Sequence, residues 1–249
     1  YTYHSNLTLT KEAMITQAAN PNVVMTIAAV RAQGTGDVNT KGVVTSCVGN
    51  TAYIQDATAA VSIYGTNLGL TVGDEIIVSG TLATYYGLLE ITNPVISVSS
   101  SGNEVAATVK TIAEIVADHD SSNGLQGWLV KIEEAVVKEV DGQKITIAQG
   151  NKTIIVSGVP SEITVSVNDI VTITGNIGSF DDVRIVNPSD VYLKPTITID
   201  PLTYDLNSLN QGGTIEVGYT NIDFTNSPEV VFCDAEGSPA TYEWITAQI

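Results

Sequence analysis

Apolar and polar residues alternate along several short segments of this chain, and a period of two is typical of β-strands that bury one face. Glycine, asparagine and aspartate separate these segments, which indicates tight turns between the strands. In the first half of the chain the pattern predicts strands over residues 38–48, 51–55, 60–64, 75–82 and 88–91. Long amphipathic helical patterns are absent, so the fold is predicted to be mostly β.

Two short helices are predicted, one ahead of each group of strands. Thr26 precedes a short apolar stripe and offers its hydroxyl as an N-cap. Thr111 and Glu114 have the spacing of a capping box, in which each side chain accepts a hydrogen bond from the other residue's backbone N–H. The second group of strands is predicted over residues 126–140, 144–148, 152–156, 170–177 and 183–186.

The second group of strands repeats the first. Matched residues lie 95 positions apart in the later strands, among them Val72 with Val167, Asp74 with Asp169, and Gly80 with Gly175. A repeat of this length indicates tandem domains, which are predicted at residues 23–105 and 106–195. Five strands per copy, with a glycine early in each long first strand, predict a Greek-key barrel of the OB type.

The two ends of the chain differ from the repeats in their residue pattern. Residues 1–22 are polar and mixed and are expected to be a leader arm. Residues 196–249 show short alternating strands that predict an immunoglobulin-like β-sandwich. A complete sandwich takes about 100 residues, so its closing strands are expected to be missing from this sequence. The predicted fold is therefore mostly β: two tandem five-stranded OB-type Greek-key barrels plus a partial immunoglobulin-like β-sandwich.

Two stretches resemble known families. The first copy, through Ala52-Tyr-Ile-Gln-Asp56, Val72-Gly-Asp74 and Gly87-Leu-Leu-Glu-Ile91, resembles the OB-fold-like domain family of extracellular bacterial nucleases and Bacteroidetes surface proteins. The last segment resembles the BACON type of immunoglobulin-like module, which accompanies glycan-handling surface proteins. These resemblances imply an extracellular, periplasmic or outer-surface location, with a lipid anchor expected upstream of Tyr1.

The amino-acid composition limits which classes of binding partner are expected. With 10 Lys and Arg against 27 Asp and Glu, the formal net charge is -17, which repels polyphosphates and anionic lipid surfaces. Nucleic acid is therefore disfavoured as a partner, although a local basic patch stays open. No apolar run of about 18 residues is present, so no membrane span is predicted. The two cysteines, Cys47 and Cys233, fall in different modules and are predicted to be free thiols.

Candidate catalytic groups are few. Catalysis needs a nucleophile, a base or a metal, and the chain has two histidines, His4 and His119. The Asp118-His119-Asp120 string precedes a loop-like segment and lacks further ligands, so a solvated loop is favoured over a metal site. No motif for a nucleophilic serine, a zinc protease, a phosphate-binding loop or a dinucleotide site is present. We therefore predict no enzymatic activity, no catalytic residue, no metal and no cofactor.

Tyrosines supply the strongest binding candidates. In OB folds, ligands contact the outer face of strands two and three and the loop between strands four and five. In the first copy these positions predict a ligand site at Tyr53, Gln55, Asp56, Tyr64, Tyr85 and Tyr86. Aromatic rings stack on bases and on sugar rings, and the net charge favours a sugar. The alternative interpretation is ordinary half-buried strand residues. The second copy keeps only Phe180 opposite Tyr85, so one such site per chain is predicted.

Two functions from different classes follow. The first is a non-enzymatic extracellular or cell-surface binding or adhesion protein whose partner is a glycan or a surface protein. The alternative is a set of accessory OB-fold modules of a larger secreted nuclease or phosphoesterase, whose catalytic domain lies outside this sequence. The full reading frame discriminates between the two, and glycan-array binding tests the first.

Overall fold

The computed structural model describes residues 23–119 and 124–195, and beyond them the backbone of two further strands. The chain divides into two compact units after Leu193. The predicted leader arm, residues 1–22, lies outside the described residues, as does Cys233.

The first barrel contains five strands closed on one another. Its strands are β1 (Gly36–Val48), β2 (Thr51–Gln55), β3 (Ala60–Tyr64), β4 (Glu75–Tyr85) and β5 (Leu88–Ser100). They pair in the order β1-β2-β3-β5-β4, and β4 pairs back onto β1. The pairing of β3 with β5 is parallel and the others are antiparallel. Helix α1 (Ile27–Gln33) precedes β1, as predicted.

The second barrel repeats this order. Its elements are β6 (Thr108–Val109), α2 (Ile112–Asp118), β7 (Leu129–Asp141), β8 (Lys144–Gln149), β9 (Lys152–Ser157), β10 (Ile170–Phe180) and β11 (Asp182–Leu193). The strands β7 to β11 pair in the order β7-β8-β9-β11-β10, and β10 pairs back onto β7. The short β6 adds a parallel pairing to β7.

Each barrel has its own hydrophobic core, and its helix packs into that core. Ile27 and Val30 of α1 are fully buried in the first core, and Ile112 and Ile115 of α2 are fully buried in the second. Both N-caps form as the sequence predicts. Thr111 and Glu114 make the capping box, in which each side chain accepts from the other residue's backbone N–H.

Four strands, β4, β5, β10 and β11, are longer than their sequence patterns predict by three or more residues, and β5 and β11 differ most. The predicted segments end at residues 91 and 186, whereas β5 continues to Ser100 and β11 to Leu193. Asn93 and Asn187 each adopt a left-handed φ of 49°, and strand pairing shifts register close to both of them. A bulge of this kind lets a strand continue past the following proline, which lacks the N–H that a ladder needs.

In the second unit, the structure describes β12 (Thr196–Asp200) and β13 (Glu216–Thr220), which form one antiparallel pair. The rest of the predicted sandwich lies outside the described residues. The predicted fold class is confirmed for the described part of the chain, which is mostly β and built on OB-type barrels.

Candidate functional site

The outer face of β2 and β3, where an OB fold contacts its ligand, is covered in the first barrel by the second barrel. Tyr53 is only 2% exposed, and a Cβ added at Gly178 of β10 would lie 3.2 Å from its hydroxyl. Strand register places Tyr53, Ser62 and Glu90 side by side on this face. Burial, and then the Glu90 carboxylate, raises the pKa of the Tyr53 hydroxyl above its ordinary value. Tyr53 therefore contacts protein rather than solvent.

Gln55 and Asp56 are also occupied by the protein. The Gln55 Oε1 accepts from the Leu129 N–H of the second barrel at 3.3 Å. Asp56 Oδ2 accepts from the Ile27 N–H at 2.8 Å, and Oδ1 accepts from the backbone and hydroxyl of Thr58 and from a neighbouring N–H. Burial acts to raise the pKa of Asp56, but these hydrogen bonds outweigh it and lower the pKa. The carboxylate thus organises a turn and the start of α1.

Tyr64 lies at the end of the face that carries Tyr53, two residues beyond Ser62 on β3. It is the last residue of β3, pairs with Thr51 and Thr92 on the neighbouring strands, and is exposed. Within the described ranges its ring has no contact with Tyr85 or Tyr86. Its part in a ligand site stays a prediction.

Tyr85, Tyr86 and Phe180 form one exposed group of rings, here called the aromatic cluster. Tyr86 stacks on Phe180 with ring centroids 4.3 Å apart, and Tyr85 meets Tyr86 edge to face at 4.5 Å. Their exposed fractions are 57% for Tyr85, 45% for Tyr86 and 47% for Phe180. Two rings come from the β4–β5 turn of the first barrel and one from the equivalent turn of the second. Neighbouring exposed apolar side chains that form one patch, unlike isolated ones, are typical of interaction sites.

The turn that carries two of these rings is strained. Tyr86 and Gly87 have φ values of 45° and 78°, so both central residues of this two-residue hairpin lie in the left-handed region, as a type I′ turn requires. Asparagine and glycine suit such positions, whereas a bulky residue at positive φ costs about 1–3 kcal/mol. The second barrel stabilises the strained residue, because the Tyr86 carbonyl accepts from Ser179 Oγ at 3.0 Å and from the Asp181 N–H at 2.9 Å.

Within residues 23–119 and 124–195, the first barrel contacts the second mainly through β10 and β11 rather than through β8 and β9. The OB-type face formed by β8, β9 and the start of β11 is here called the open face, and its outward residues Thr146 and Ile155 are half-buried. The alternate residues of β8 and β9 that point inward are buried in the core: Ile145, Ile147, Ile154 and Val156. Their neighbours Thr146 and Ile155 are paired across the strands and point outward. Arg184 of β11 is paired with Ile155 on the same face. Its guanidinium lies 5.4 Å from the Phe180 ring centroid, so the open face reaches the aromatic cluster.

Both cations of the open face are held in ion pairs. Arg184 pairs with Asp182 and donates to the Phe180 carbonyl, and Lys144 pairs with Asp141 at 2.8 Å. The hydrogen bond to Asp141, followed by its charge, raises the pKa of Lys144, so this amine stays protonated at neutral pH. Glu139 adds a third carboxylate, which accepts from the Thr146 hydroxyl, so the charges of the open face sum to a negative value like those of the whole chain.

Sequence reasoning anticipated two of the three rings as ligand residues and missed the role of Arg184. The repeat alignment matches Phe180 to Tyr85, and that match was the available signal for the third ring. Nothing in the alignment shows that the two equivalent turns touch. Arg184 stands in period-two alternation with Val183 and Ile185, and this pattern predicts an outward side chain on β11.

The described part of the chain contains neither a metal-ligand group nor a membrane-spanning helix. Across residues 23–119 and 124–195, no three His, Cys, Asp or Glu side chains come together in a group that could hold a metal ion. Neither of the seven-residue helices α1 and α2 in these ranges has the length or apolar character needed to cross a membrane.

Comparison with known proteins finds similarity to solved structures. No protein-family model matches the sequence, and no curated protein sequence matches it. The Ifi202 HINa domain in complex with a 20-bp double-stranded DNA is 14% identical, with 64% of this chain and 96% of that chain covered and a TM-score of 0.34. A murine DNA-binding protein bound to double-stranded DNA is 14% identical, covers 63% and 94%, and has a TM-score of 0.35. The S. pombe Stn1–Ten1 complex is 11% identical over 44% and 90%, with a TM-score of 0.27. Likeness at these identities concerns the fold alone.

These comparisons contradict the partner prediction made from the sequence. A glycan or a surface protein was expected and nucleic acid was disfavoured, yet two of the three similar structures hold double-stranded DNA. The expectation rested on the net charge of -17 for the whole chain. A summed charge is a poor guide to one surface, because exposed charges more than about 10 Å apart are largely screened from one another.

Proposed function

We propose that this chain is a non-catalytic binding module for single-stranded nucleic acid, which lies along the open face and stacks its bases on the aromatic cluster. The observation that carries the proposal is the exposed aromatic cluster, joined through Arg184 to the open face. In OB folds this face and the loop between the fourth and fifth strands are the surfaces that bind oligonucleotides.

Exposed rings favour a single strand over a duplex. Bases of a single strand present their faces to aromatic side chains, and each stack is worth about 1–3 kcal/mol, whereas duplex bases are already stacked on one another. Three rings within contact of one another support two or more stacked bases. Base stacking, rather than phosphate neutralisation, is thus expected to supply most of the affinity.

The charge pattern predicts that binding affinity depends only weakly on salt concentration. Lys144 and Arg184 are the cations of the open face, and each already pairs with a carboxylate. With at most two phosphates neutralised, log K should fall with log salt with a slope no steeper than about -1.4. Ordinary basic nucleic-acid-binding proteins, which make many more phosphate contacts, lose affinity far more steeply.

The covered face of the first barrel supports one site per chain. Tyr53 and Ser62 lie beneath the second barrel. A nucleic-acid strand therefore cannot lie along the β2–β3 face of the first barrel as it would along the open face of the second. The sequence resemblance to domains of extracellular bacterial nucleases supports a nucleic-acid setting and an extracellular location. It also keeps the alternative of accessory modules in a larger secreted nuclease or phosphoesterase, which the full reading frame tests.

The test is a fluorescence anisotropy titration of labelled oligothymidine and of a duplex of equal length. We expect the parent to prefer the single strand, and the Tyr85→Ala, Tyr86→Ala double variant to bind about 10- to 100-fold more weakly. Tyr192→Ala is the matched control, because Tyr192 is an exposed strand tyrosine at the far end of β11. Tyr64→Ala reports whether the site extends along β3. Absence of binding by the parent, or equal affinity of parent and double variant, would refute the proposal.

A further inference from the structure

Gln126, a buried residue of the second barrel, is bonded to the turn of the first barrel that carries two rings of the aromatic cluster. It is 4% exposed and lies shortly before β7. Its Oε1 accepts from the Leu89 N–H at 2.9 Å, and its Nε2 donates to the Gly87 carbonyl at 2.8 Å. These two backbone groups flank Leu88, which is the strand partner of Tyr85. The side-chain amide therefore bonds to the turn as a neighbouring strand would.

The backbone around Gln126 is held in place by both barrels. The Gln126 carbonyl accepts from Arg31 Nη1 of α1 at 3.0 Å. The next residue, Gly127, has a φ of 88° and lies so close to the first barrel that an added Cβ would be 2.9 Å from the Ala60 carbonyl carbon. Its carbonyl accepts from Asn176 Nδ2 at 3.0 Å, within the second barrel. Gln126 thus reaches the turn from a fixed backbone rather than from a mobile loop.

The same turn is held on its other side by β10 and the residue that follows it, through the bonds from Ser179 and Asp181 to the Tyr86 carbonyl. Both sets of bonds come from the second barrel, and between them lies the strained Tyr86. Strained residues persist only where their surroundings over-determine them. We propose that Gln126 is a positioning residue for the ligand site, so that the aromatic cluster is a composite that neither barrel builds alone. This inference rests on the proposed function for its binding readout.

Gln126→Met removes the two hydrogen bonds while keeping the length of the side chain. We expect oligothymidine binding to weaken about tenfold, as for the loss of one stacking contact. The amide hydrogen of Leu89 should exchange faster with solvent, and the near-ultraviolet circular dichroism of the packed rings should change. The matched control is Gln33→Met, because the Gln33 side chain also bonds to two backbone groups, the carbonyls of Thr35 and Asp37, and lies on α1, outside both the open face and the aromatic cluster. It should leave binding and the ring signal unchanged.

Gln126→Glu gives a test that a merely structural role would not pass. A protonated carboxyl group accepts from the Leu89 N–H and donates to the Gly87 carbonyl, as the amide does, whereas a carboxylate has no donor. Burial raises the pKa of such a carboxyl above its ordinary value. Binding by this variant should be impaired near pH 8 and recover towards the parent's affinity near about pH 5. The parent is titrated at each pH, and thymine bases do not ionise in this interval.

The outcomes separate the two proposals. If the parent binds and both Gln126 variants match it at every pH, the positioning role is overturned and the proposed function stands. If the parent does not bind, the proposed function fails, and the positioning role is judged by Leu89 exchange and the ring signal: unchanged values overturn it. Should Gln126→Met fail to fold, Ser179→Ala replaces it, since Ser179 is near the surface and donates one bond to Tyr86. Parent-like binding and ring signal in that variant would then count against the inference.

Discussion

Gly127→Ala tests the close contact between the barrels. The left-handed φ of 88° costs an alanine about 1–2 kcal/mol. The added Cβ also meets the Ala60 carbonyl carbon at 2.9 Å and the carbonyl oxygen at 3.1 Å, and both are backbone atoms that cannot rotate away. Overpacking of this kind costs about 1–3 kcal/mol more.

Comparison with Gly142→Ala separates the steric cost of the added Cβ from the cost of the backbone strain. Gly142 has a φ of 59° in the β7–β8 hairpin turn, and a Cβ there meets no atom within 4 Å. This variant carries the backbone strain without the collision. Both changes also restrict the unfolded chain, which stabilises each protein by a similar amount of about 0.4–1 kcal/mol. The difference in the free energy of unfolding between the two variants should therefore be about 1–3 kcal/mol, with Gly127→Ala the less stable.

Urea unfolding followed by circular dichroism measures this difference. In thermal unfolding, each 1 kcal/mol corresponds to about 2–4 °C for a unit of this size. Equal losses in the two variants would refute the reasoning, because they would mean that the second barrel shifts away from Ala60 at no cost. If Gly127→Ala lowers the free energy of unfolding while the second barrel itself stays as stable as in the parent, the change has disturbed the contact between the barrels, as we expect.

Three further predictions concern titratable groups. Burial raises the pKa of Glu90, so the parent should lose stability as the pH rises through that raised value. Glu90→Gln cannot ionise there, so it should lack this loss and melt at a higher temperature than the parent at neutral pH. Melting curves recorded at a series of pH values measure the difference. Asp56 has a lowered pKa and stabilises the fold above its ordinary pKa, so Asp56→Ala should cost roughly 1–2 kcal/mol at neutral pH by denaturant unfolding, and this deficit should shrink as the parent is acidified. The backbone and side-chain bonds of Thr111 lower the pKa of Glu114 to about 2, so in Thr111→Val, which loses the hydroxyl, a carboxyl titration by NMR should find a higher value; an unchanged value would count against the capping box.

Much of the fold was predictable because local chemistry determines it. The capping box at Thr111 and Glu114 forms as the spacing of these residues predicts. The glycines and aspartates that match between the two copies occupy equivalent positions in the two barrels. Asp74 Oδ2 accepts from the Thr71 N–H and Asp169 Oδ2 from the Ser166 N–H, each at 2.8 Å. Such short-range patterns are visible in one sequence.

The candidate site was only partly predictable, because it depends on which surfaces of the two barrels meet. Period-two alternation tells that Tyr53 points out of the first barrel, and it does so. It does not tell that another barrel covers that outer face, since the covering residue, Gly178, is distant in sequence and has no side chain to leave a pattern. Phe180 was matched to Tyr85 in the alignment, but equivalence in a repeat does not by itself place two residues in contact.

The junction between the barrels has a consequence for how such repeats assemble. The first barrel contributes part of β1 and its β2–β3 face, while the second contributes the start of β7 and part of β10, so the two copies meet through different surfaces. A contact of this type is heterologous, and heterologous contacts do not close on a pair. Duplication of this barrel therefore breaks its own symmetry: the β2–β3 face of the earlier copy is buried at the junction, whereas the later copy meets it through other strands.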